Sequence, residues 1–300
     1  ARAHGPQSPS NLGSISPVSA SRRAKMDLED LEQGLRAVSS GGHVLSVEQL
    51  TSIQAGLTLL KGKEKLKAVY LWGKFLGSEA DYWVAYGLAE SKLDFPSKMF
   101  FYAGEDYDFK ALPMITEEVG EAITMLNLSS PFTGLPSKIL EQFVEEGMEN
   151  EAPMAPALKV TEVERLSLLV QEIDFDTAVV PKGAHNLSEA QVLVKSSQFQ
   201  GLGMNEATSL ENYVHFRPPA SVASLKAHAL NDLQFYSNFL DPLSSDLPKG
   251  CWVVRQDLGG ITLRSLTWPG YQAFHVPGTT KFGGIYFGDA TKNTDLAFLI

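Results

Sequence analysis

Residues that could act as nucleophiles or metal ligands are scattered along this chain. Cys251 is the only cysteine, and no neighbour in sequence would lower its pKa as a catalytic thiol requires. A lone free cysteine more often packs as a small apolar side chain. No two histidines stand four residues apart, the spacing that puts a pair of metal ligands on one helical face. The six histidines are His4, His43, His185, His215, His228 and His275.

Two pairs of aspartates stand two residues apart, Asp106 with Asp108 and Asp174 with Asp176. Paired carboxylates could perform acid–base work or bind a metal ion. However, the first pair also fits a turn and the second fits the end of a helix. The sequence therefore predicts a protein that is not an enzyme and that has no cofactor or metal. An enzyme with a site assembled from dispersed residues is the least favoured alternative.

Aromatic side chains concentrate near predicted turns in the first and last thirds of the chain. Aromatic residues and arginine anchor protein interfaces, but aromatic residues also fill the cores of sheets. Both interpretations stay open from the sequence alone. The candidate interface residues are Trp72, Trp83, Arg264, Trp268, Tyr271 and Tyr286.

The 300 residues carry a net charge of −10. This charge argues against a general nucleic-acid binder, because phosphate contacts need concentrated Lys and Arg. The segment 115–151 holds eight glutamates and one lysine, and we expect Glu141, Glu145, Glu146 and Glu149 to form a negative surface there. No apolar run approaches the roughly 20 residues of a membrane-spanning helix, so no membrane contact is predicted.

The elements that would position these residues change along the chain. Residues 1–25 are rich in Ser, Pro and Gly and are predicted to be a disordered extension. Residues 26–65 are predicted to be helical, with a capping box at Ser46 and Gln49. Two strand hairpins follow, and their strands are predicted at 66–76, 82–88, 98–102 and 107–110.

Residues 66–245 are predicted to mix helices with strands, and residues 246–300 to be β-rich. A second capping box, at Thr161 and Glu164, opens one of the helices. Helices are expected at 116–125, 137–146, 161–174, 205–212 and 221–238. Further strands are expected at 178–181, 251–256, 261–267, 271–276 and 284–288. The predicted fold is α+β, a single domain over 26–300 of antiparallel hairpins with flanking helices.

Several stretches of this sequence resemble a known family. They are VYLWGKFLG at 69–77, ADYWVAYGL at 80–88, YVHFRP at 213–218, DLPKGCW at 246–252, LRSLTWPG at 263–270, YFG at 286–288 and KNTDLAFLI at 292–300. In this order they are similar to stretches of the radial spoke head protein 9 family, over about residues 26–300. The run at 263–270 is also similar to one in radial spoke head proteins 4 and 6.

The resemblance implies a non-enzymatic structural subunit of the radial spoke head, in the axoneme of motile cilia and flagella. The implied partners are radial spoke head proteins of the 4/6 type and other head and stalk subunits, with central-pair projections as further candidates. The implied location is the cytoplasm, its cytoskeleton and the ciliary axoneme. The subunit would hold the head assembly together and help to relay mechanical signals between the central pair and the dynein arms. The alternative is a cytosolic adaptor that binds proteins through an aromatic interface and has no ciliary role.

Overall fold

The structure is a computed structural model that describes residues 26–28, 30–89, 98–126, 130–140, 159–187, 193–229, 239–257 and 260–299. The predicted disordered extension, residues 1–25, lies outside these residues. The helices are α1 Leu31–Val38, α2 Val47–Lys63, α3 Glu117–Leu126, α4 Glu162–Thr177, α5 Met204–Ala207, α6 Val222–Ala229 and α7 Leu296–Leu299. None of the helices described is long and apolar enough to cross a membrane.

The strands alternate with these helices along the chain. They are β1 Ala68–Phe75, β2 Tyr82–Leu88, β3 Met99–Ala103, β4 Lys110–Ala111, β5 Ile139–Leu140, β6 Val160–Thr161, β7 Val179–Pro181, β8 His185–Leu187, β9 Leu193–Lys195, β10 Tyr213–His215, β11 Trp252–Asp257, β12 Gly260–Ser265, β13 Tyr271–His275 and β14 Phe282–Gly288. The predicted α+β class is confirmed, with helices first and a strand-rich C-terminal part.

Eight strands form one sheet in the order β11-β12-β13-β14-β1-β2-β3-β4. Each half of this sheet is an antiparallel meander of four consecutive strands, in agreement with the predicted antiparallel hairpins. The strand predicted at 107–110 is wrong except at its last residue, because β4 is Lys110–Ala111. The two halves meet where β1 pairs with β14 in parallel, with Gly73 opposite Tyr286. Local sequence patterns predicted most of the strands and their antiparallel hairpins. They did not predict this parallel junction, because its strands are about 200 residues apart in the chain.

Helices cover both faces of the sheet. On one face α1 and α2 bury aliphatic side chains against Leu71, Trp83 and Phe274 of the sheet. On the other face α4 packs Leu166 and Val170 against the tryptophans and tyrosines of both meanders. Successive side chains of a strand point to opposite faces, so each strand supplies both layers.

Both capping boxes lie where the sequence predicted them. The Ser46 hydroxyl accepts the Gln49 amide N–H, and the Gln49 side chain accepts the Ser46 N–H, both at 3.1 Å. The Glu164 carboxylate accepts the Thr161 backbone N–H at 2.7 Å. These caps satisfy N–H groups that have no partner within their helices.

Three predicted helices differ from the structure. The helix predicted at 137–146 is wrong at its start, because Ile139 and Leu140 pair as a strand with Val160 and Thr161; beyond residue 140 it lies outside the described residues. The helix predicted at 205–212 is a single turn, α5, followed by a separate 3₁₀ turn. The helix predicted at 221–238 is described only as α6, and the rest falls outside the described residues.

Candidate functional site

A row of carboxylates attaches α4 to the sheet. Oδ1 of Asp174 accepts the indole N–H of Trp72 at 3.0 Å, and Lys98 Nζ lies 2.6 Å from Oδ2 of the same carboxylate. Two residues further, Asp176 accepts the indole N–H of Trp268 at 2.9 Å. Trp72 belongs to the first meander and Trp268 follows β12 of the second, so the end of one helix holds both halves of the sheet.

Asp246 makes a third contact of this kind beside β11. Its carboxylate accepts the indole N–H of Trp252 at 2.8 Å, and it lies 2.9 Å from Nε2 of His215. A buried tryptophan needs one acceptor for its single N–H. Three of the four tryptophans therefore find that acceptor on an aspartate, which fixes the orientation of each ring.

Glu162, at the start of α4, lies in a cage of donors and is 1% exposed. Its two oxygens accept the Tyr82 hydroxyl at 2.8 Å and both the N–H and the hydroxyl of Thr133, at 2.9 and 2.8 Å. They also accept the N–H groups of Gly134 and Leu135, at 2.9 and 3.2 Å. The carboxylate thus joins β2, the loop at 133–135 and α4 in one network.

The network keeps Glu162 ionised. Burial by itself would raise the pKa of this carboxyl, but the hydrogen bonds from Thr133, Tyr82 and Gly134 outweigh that effect and hold the pKa below its usual value. Burial, followed by the contact with Glu162, raises the pKa of Tyr82, so its hydroxyl stays protonated and donates. A buried carboxylate whose oxygens all accept hydrogen bonds stabilises the fold, and a proton-transfer role is not needed to explain it.

Five of the six predicted interface residues lie inside the protein. Trp72, Trp83, Trp268, Tyr271 and Tyr286 are between 0% and 8% exposed. Trp83 packs beneath α1 and α2, and the other four pack beneath α4. In this structure they pack in the core, which is one of the two interpretations that the sequence left open.

Arg264 is the exception, because it is half-buried at the margin of the α1 layer. Its guanidinium donates to the Ser40 carbonyl at 3.2 Å, while its Nε is buried without a hydrogen bond. A groove of about 580 Å³ opens beside it, between the turn at Gly41–His43 and the turn at Pro269–Gly270. Two of the predicted interface residues, Arg264 and Tyr271, line this groove.

His43, on the wall of this groove, was not singled out by the sequence. Its Nε2 lies 2.8 Å from the Gly270 carbonyl, which can only accept, so Nε2 carries the proton. Burial lowers the pKa of His43, and the Arg264 charge acts in the same direction against the opposing effects of Gly270 and Gln272. The ring is therefore neutral at pH 7 and serves as a link between the 41–43 turn and the sheet.

Among the described residues, neither the cysteine nor the possible metal ligands lie in surroundings that support catalysis or metal binding. Cys251 is buried, and burial followed by the nearby Asp246 raises its pKa, so the thiol is protonated. Across the described ranges, no group of three His, Cys, Asp or Glu side chains could hold a metal ion. The four glutamates of the predicted negative surface, Glu141, Glu145, Glu146 and Glu149, lie outside the described residues.

Known proteins are similar to almost the whole chain. The family described as Radial spokehead-like protein matches residues 7–131. The Radial spoke head protein 9 homolog of Danio rerio is 37% identical over 280 residues, 92% of this chain and 100% of the relative. The homologs of Mus musculus and Homo sapiens are 34% and 33% identical over 281 residues, with the same coverage. The chain belongs to the radial spoke head protein 9 family.

The stretches that resembled this family have clear physical roles in the fold. Gly73 lies at the parallel junction, where a Cβ would stand 2.1 Å from the Tyr286 carbonyl oxygen. Gly270 has φ 102°, and a Cβ there would stand 2.2 Å from the Phe287 carbonyl oxygen. In this member of the radial spoke head protein 9 family, the tryptophans and glycines of the stretches hold the two meanders together.

Proposed function

We propose that this chain is a non-enzymatic structural subunit of the radial spoke head in the axoneme of motile cilia and flagella. The observation that carries the proposal is its similarity to Radial spoke head protein 9 homologs along 92% of its length. The chemistry of the fold agrees with it, because the buried acids serve as acceptors for tryptophan and tyrosine donors. The subunit holds the head together and helps relay mechanical signals between the central pair and the dynein arms.

The proposed partners are radial spoke head proteins of the 4/6 type, together with other head and stalk subunits and projections of the central pair. The proposed location is the cytoplasm, its cytoskeleton and the axoneme. The exposed part of Arg264 at the groove supports a protein-binding role, since arginine is enriched at the anchors of interfaces. The five buried aromatic residues would act indirectly, by holding the sheet to which Arg264 belongs.

The test is copurification with a 4/6-type protein together with imaging of a tagged chain. We expect the tagged chain in motile axonemes and in a stable complex with that protein. Exclusion from axonemes would instead favour the cytosolic adaptor. An Arg264→Ala variant should weaken the complex, whereas Arg36→Ala, at a side chain of α1 that is 78% exposed, should not. Equal binding by both variants would remove Arg264 from the interface.

We further propose that residues 26–300 act as one domain, helical over 26–65, mixed over 66–245 and β-rich over 246–300. The support is the pairing of β1 with β14, which joins the early and late parts of the chain in one sheet. A chain lacking residues 1–25 should melt in one transition at the temperature of the full chain. Two separate transitions would contradict a single domain.

The acidic segment is proposed to present a negative face to a basic partner within the head or the central apparatus. Eight glutamates against one lysine over 115–151 support this proposal. Replacing Glu141, Glu145, Glu146 and Glu149 by Gln should weaken spoke assembly or alter beating. The matched control replaces four exposed glutamates outside this segment, Glu48, Glu64, Glu79 and Glu105, by Gln. If the first variant assembles and beats normally, the proposal fails.

A further inference from the structure

The eight-stranded sheet has two unequal edges. The edge strand β4 has two residues, whereas the edge strand β11 has six. On its inner side β11 pairs with β12, from Trp252 opposite Ser265 to Asp257 opposite Gly260. On its outer side, no backbone hydrogen bond joins β11 to any other described residue. A six-residue strand with one open side is a template on which another strand can form.

The ladder determines which groups of β11 face outward. The Leu266 N–H donates to the Cys251 carbonyl at 2.8 Å, just before the strand begins. Hydrogen-bonded and non-hydrogen-bonded pairs alternate along an antiparallel ladder. Val253 and Arg255 therefore bond to β12, whereas Val254 and Gln256 direct their N–H and C=O groups away from the sheet. These outward groups are spaced as an added strand requires.

The side chains along this edge carry exposed positive charge. The Arg255 side chain is 60% exposed, whereas that of Asp257 is 15% exposed. Asp257 accepts the Ser40 hydroxyl at 2.7 Å and lies 3.1 Å from Arg255 Nε, so it offsets part of the Arg255 charge. Arg264 lies opposite Val253 on the neighbouring strand, on the same face as Arg255. Among the described residues Arg264 forms no ion pair.

We propose that β11 is a docking edge, at which an extended acidic segment of a neighbouring spoke head polypeptide adds a ninth strand to the sheet. The inference rests on the proposed function. The backbone of the segment bonds to Val254 and Gln256, an aliphatic side chain packs on Val253, and a carboxylate pairs with Arg255. Complementary charge favours this occupant, because a positive edge in a chain of net charge −10 attracts an acidic segment and repels a basic one.

The decisive variant is Gln256→Pro. Proline removes the outward N–H of an exposed residue and leaves the bonds between β11 and β12 in place. The control Gln256→Ala keeps that N–H. A second variant, Arg255→Glu, reverses an exposed charge, and Lys110→Glu makes the same charge change at the opposite edge of the sheet. Melting of each free variant checks folding, and Arg255→Glu keeps the test valid if Gln256→Pro fails to fold.

The measurement compares the free chain with the chain in intact radial spokes isolated from axonemes. We expect amide hydrogen exchange of residues 252–257 to slow about tenfold or more in the spokes. In competition with the wild-type chain, Gln256→Pro and Arg255→Glu should be incorporated about tenfold less, and both controls should be incorporated normally. Spokes that contain the chain while residues 252–257 exchange as in the free chain would overturn the inference and leave the proposed function standing. A wild-type chain that never enters spokes would overturn both.

Discussion

The two faces of the central sheet are covered by helices that are attached in different ways. On one face α1 and α2 bury Leu31, Leu35, Ile53 and Leu57, and every residue that these two helices bury is apolar or glycine. On the other face α4 buries Glu162 and other polar residues among its aliphatic ones. Apolar contact is non-directional, whereas hydrogen bonds to carboxylates require defined distances and angles. The α4 layer is therefore fixed in position and orientation, and the α1–α2 layer is fixed mainly by shape.

The largest expected effect is on the α4 face, at Glu162. Glu162→Ala leaves the donors of Tyr82, Thr133 and Gly134 without their acceptor in a buried site. We expect the free energy of unfolding to fall by about 3–5 kcal/mol, measured by urea denaturation. The control is Glu172→Ala, whose side chain is 43% exposed and should cost less than about 1 kcal/mol. Equal losses for the two variants would mean that the donor cage does not stabilise the fold.

The corresponding test on the other face is Leu57→Ala in α2, where Leu57 is 0% exposed. Removing the buried side chain should lower the free energy of unfolding by about 2–5 kcal/mol through lost burial and a cavity. The neighbouring Leu59, which is 74% exposed, gives the control Leu59→Ala, with an expected change within about 0.5 kcal/mol. A large loss at Leu59 would show that the outer side of α2 also packs against something.

Replacing tryptophan by phenylalanine compares the two faces of the sheet through single hydrogen bonds. Trp72→Phe keeps most of the ring but removes the N–H that Asp174 accepts, so we expect a loss of about 1.5–3 kcal/mol. Trp268→Phe should behave alike at Asp176. Trp83→Phe, on the α1–α2 face, removes no hydrogen bond found among the described residues, and its loss should be smaller. Urea denaturation of the three variants tests this order. A larger loss at Trp83 would contradict the role of the carboxylates.

A smaller effect is expected in the response to acid. Because the folded-state pKa of Glu162 lies below its ordinary value of 4.5, and that of Asp241 falls from 3.8 to about 2, both stabilise the protein above pH 4.5. That stability is lost as pH falls through the folded-state values, near pH 2 for Asp241. We expect amide hydrogen exchange of α4 to accelerate in this range before that of α2. If the amides of α2 and α4 lost their protection at the same pH, the proposed difference between the two faces of the sheet would be contradicted.

Histidines add a milder change at higher pH. Burial lowers the pKa of His43 and of His275 below 6.5. The unfolded chain therefore binds protons before the folded chain as pH falls below 6.5, and stability should decline there. The melting temperature should be flat from pH 9 to 7 and lower at pH 5.5. An unchanged melting temperature at pH 5.5 would mean that these rings accept protons in the folded state.

Local sequence determined most of the elements in this protein. The capping boxes at Ser46 and Thr161 fixed the starts of α2 and α4 because their hydrogen bonds join residues three apart. The hairpin strands were predictable because the runs of aromatic and β-branched residues and the turns between them lie within a few residues of one another. The family resemblance was also readable from the sequence, and the full-length relatives confirm it.

Tertiary structure decided the roles of the functional candidates. Whether Trp72 and Trp268 face a partner or the core depends on α4, which lies about 100 residues from each of them. The donors around Glu162 come from β2 and from the loop at 133–135, so an acid at the first position of a helix gave no sign of its burial. The open edge at β11 exists only because β1 joins β14 at the other side of its meander. Each of these outcomes depends on contacts between distant parts of the chain, which local patterns do not encode.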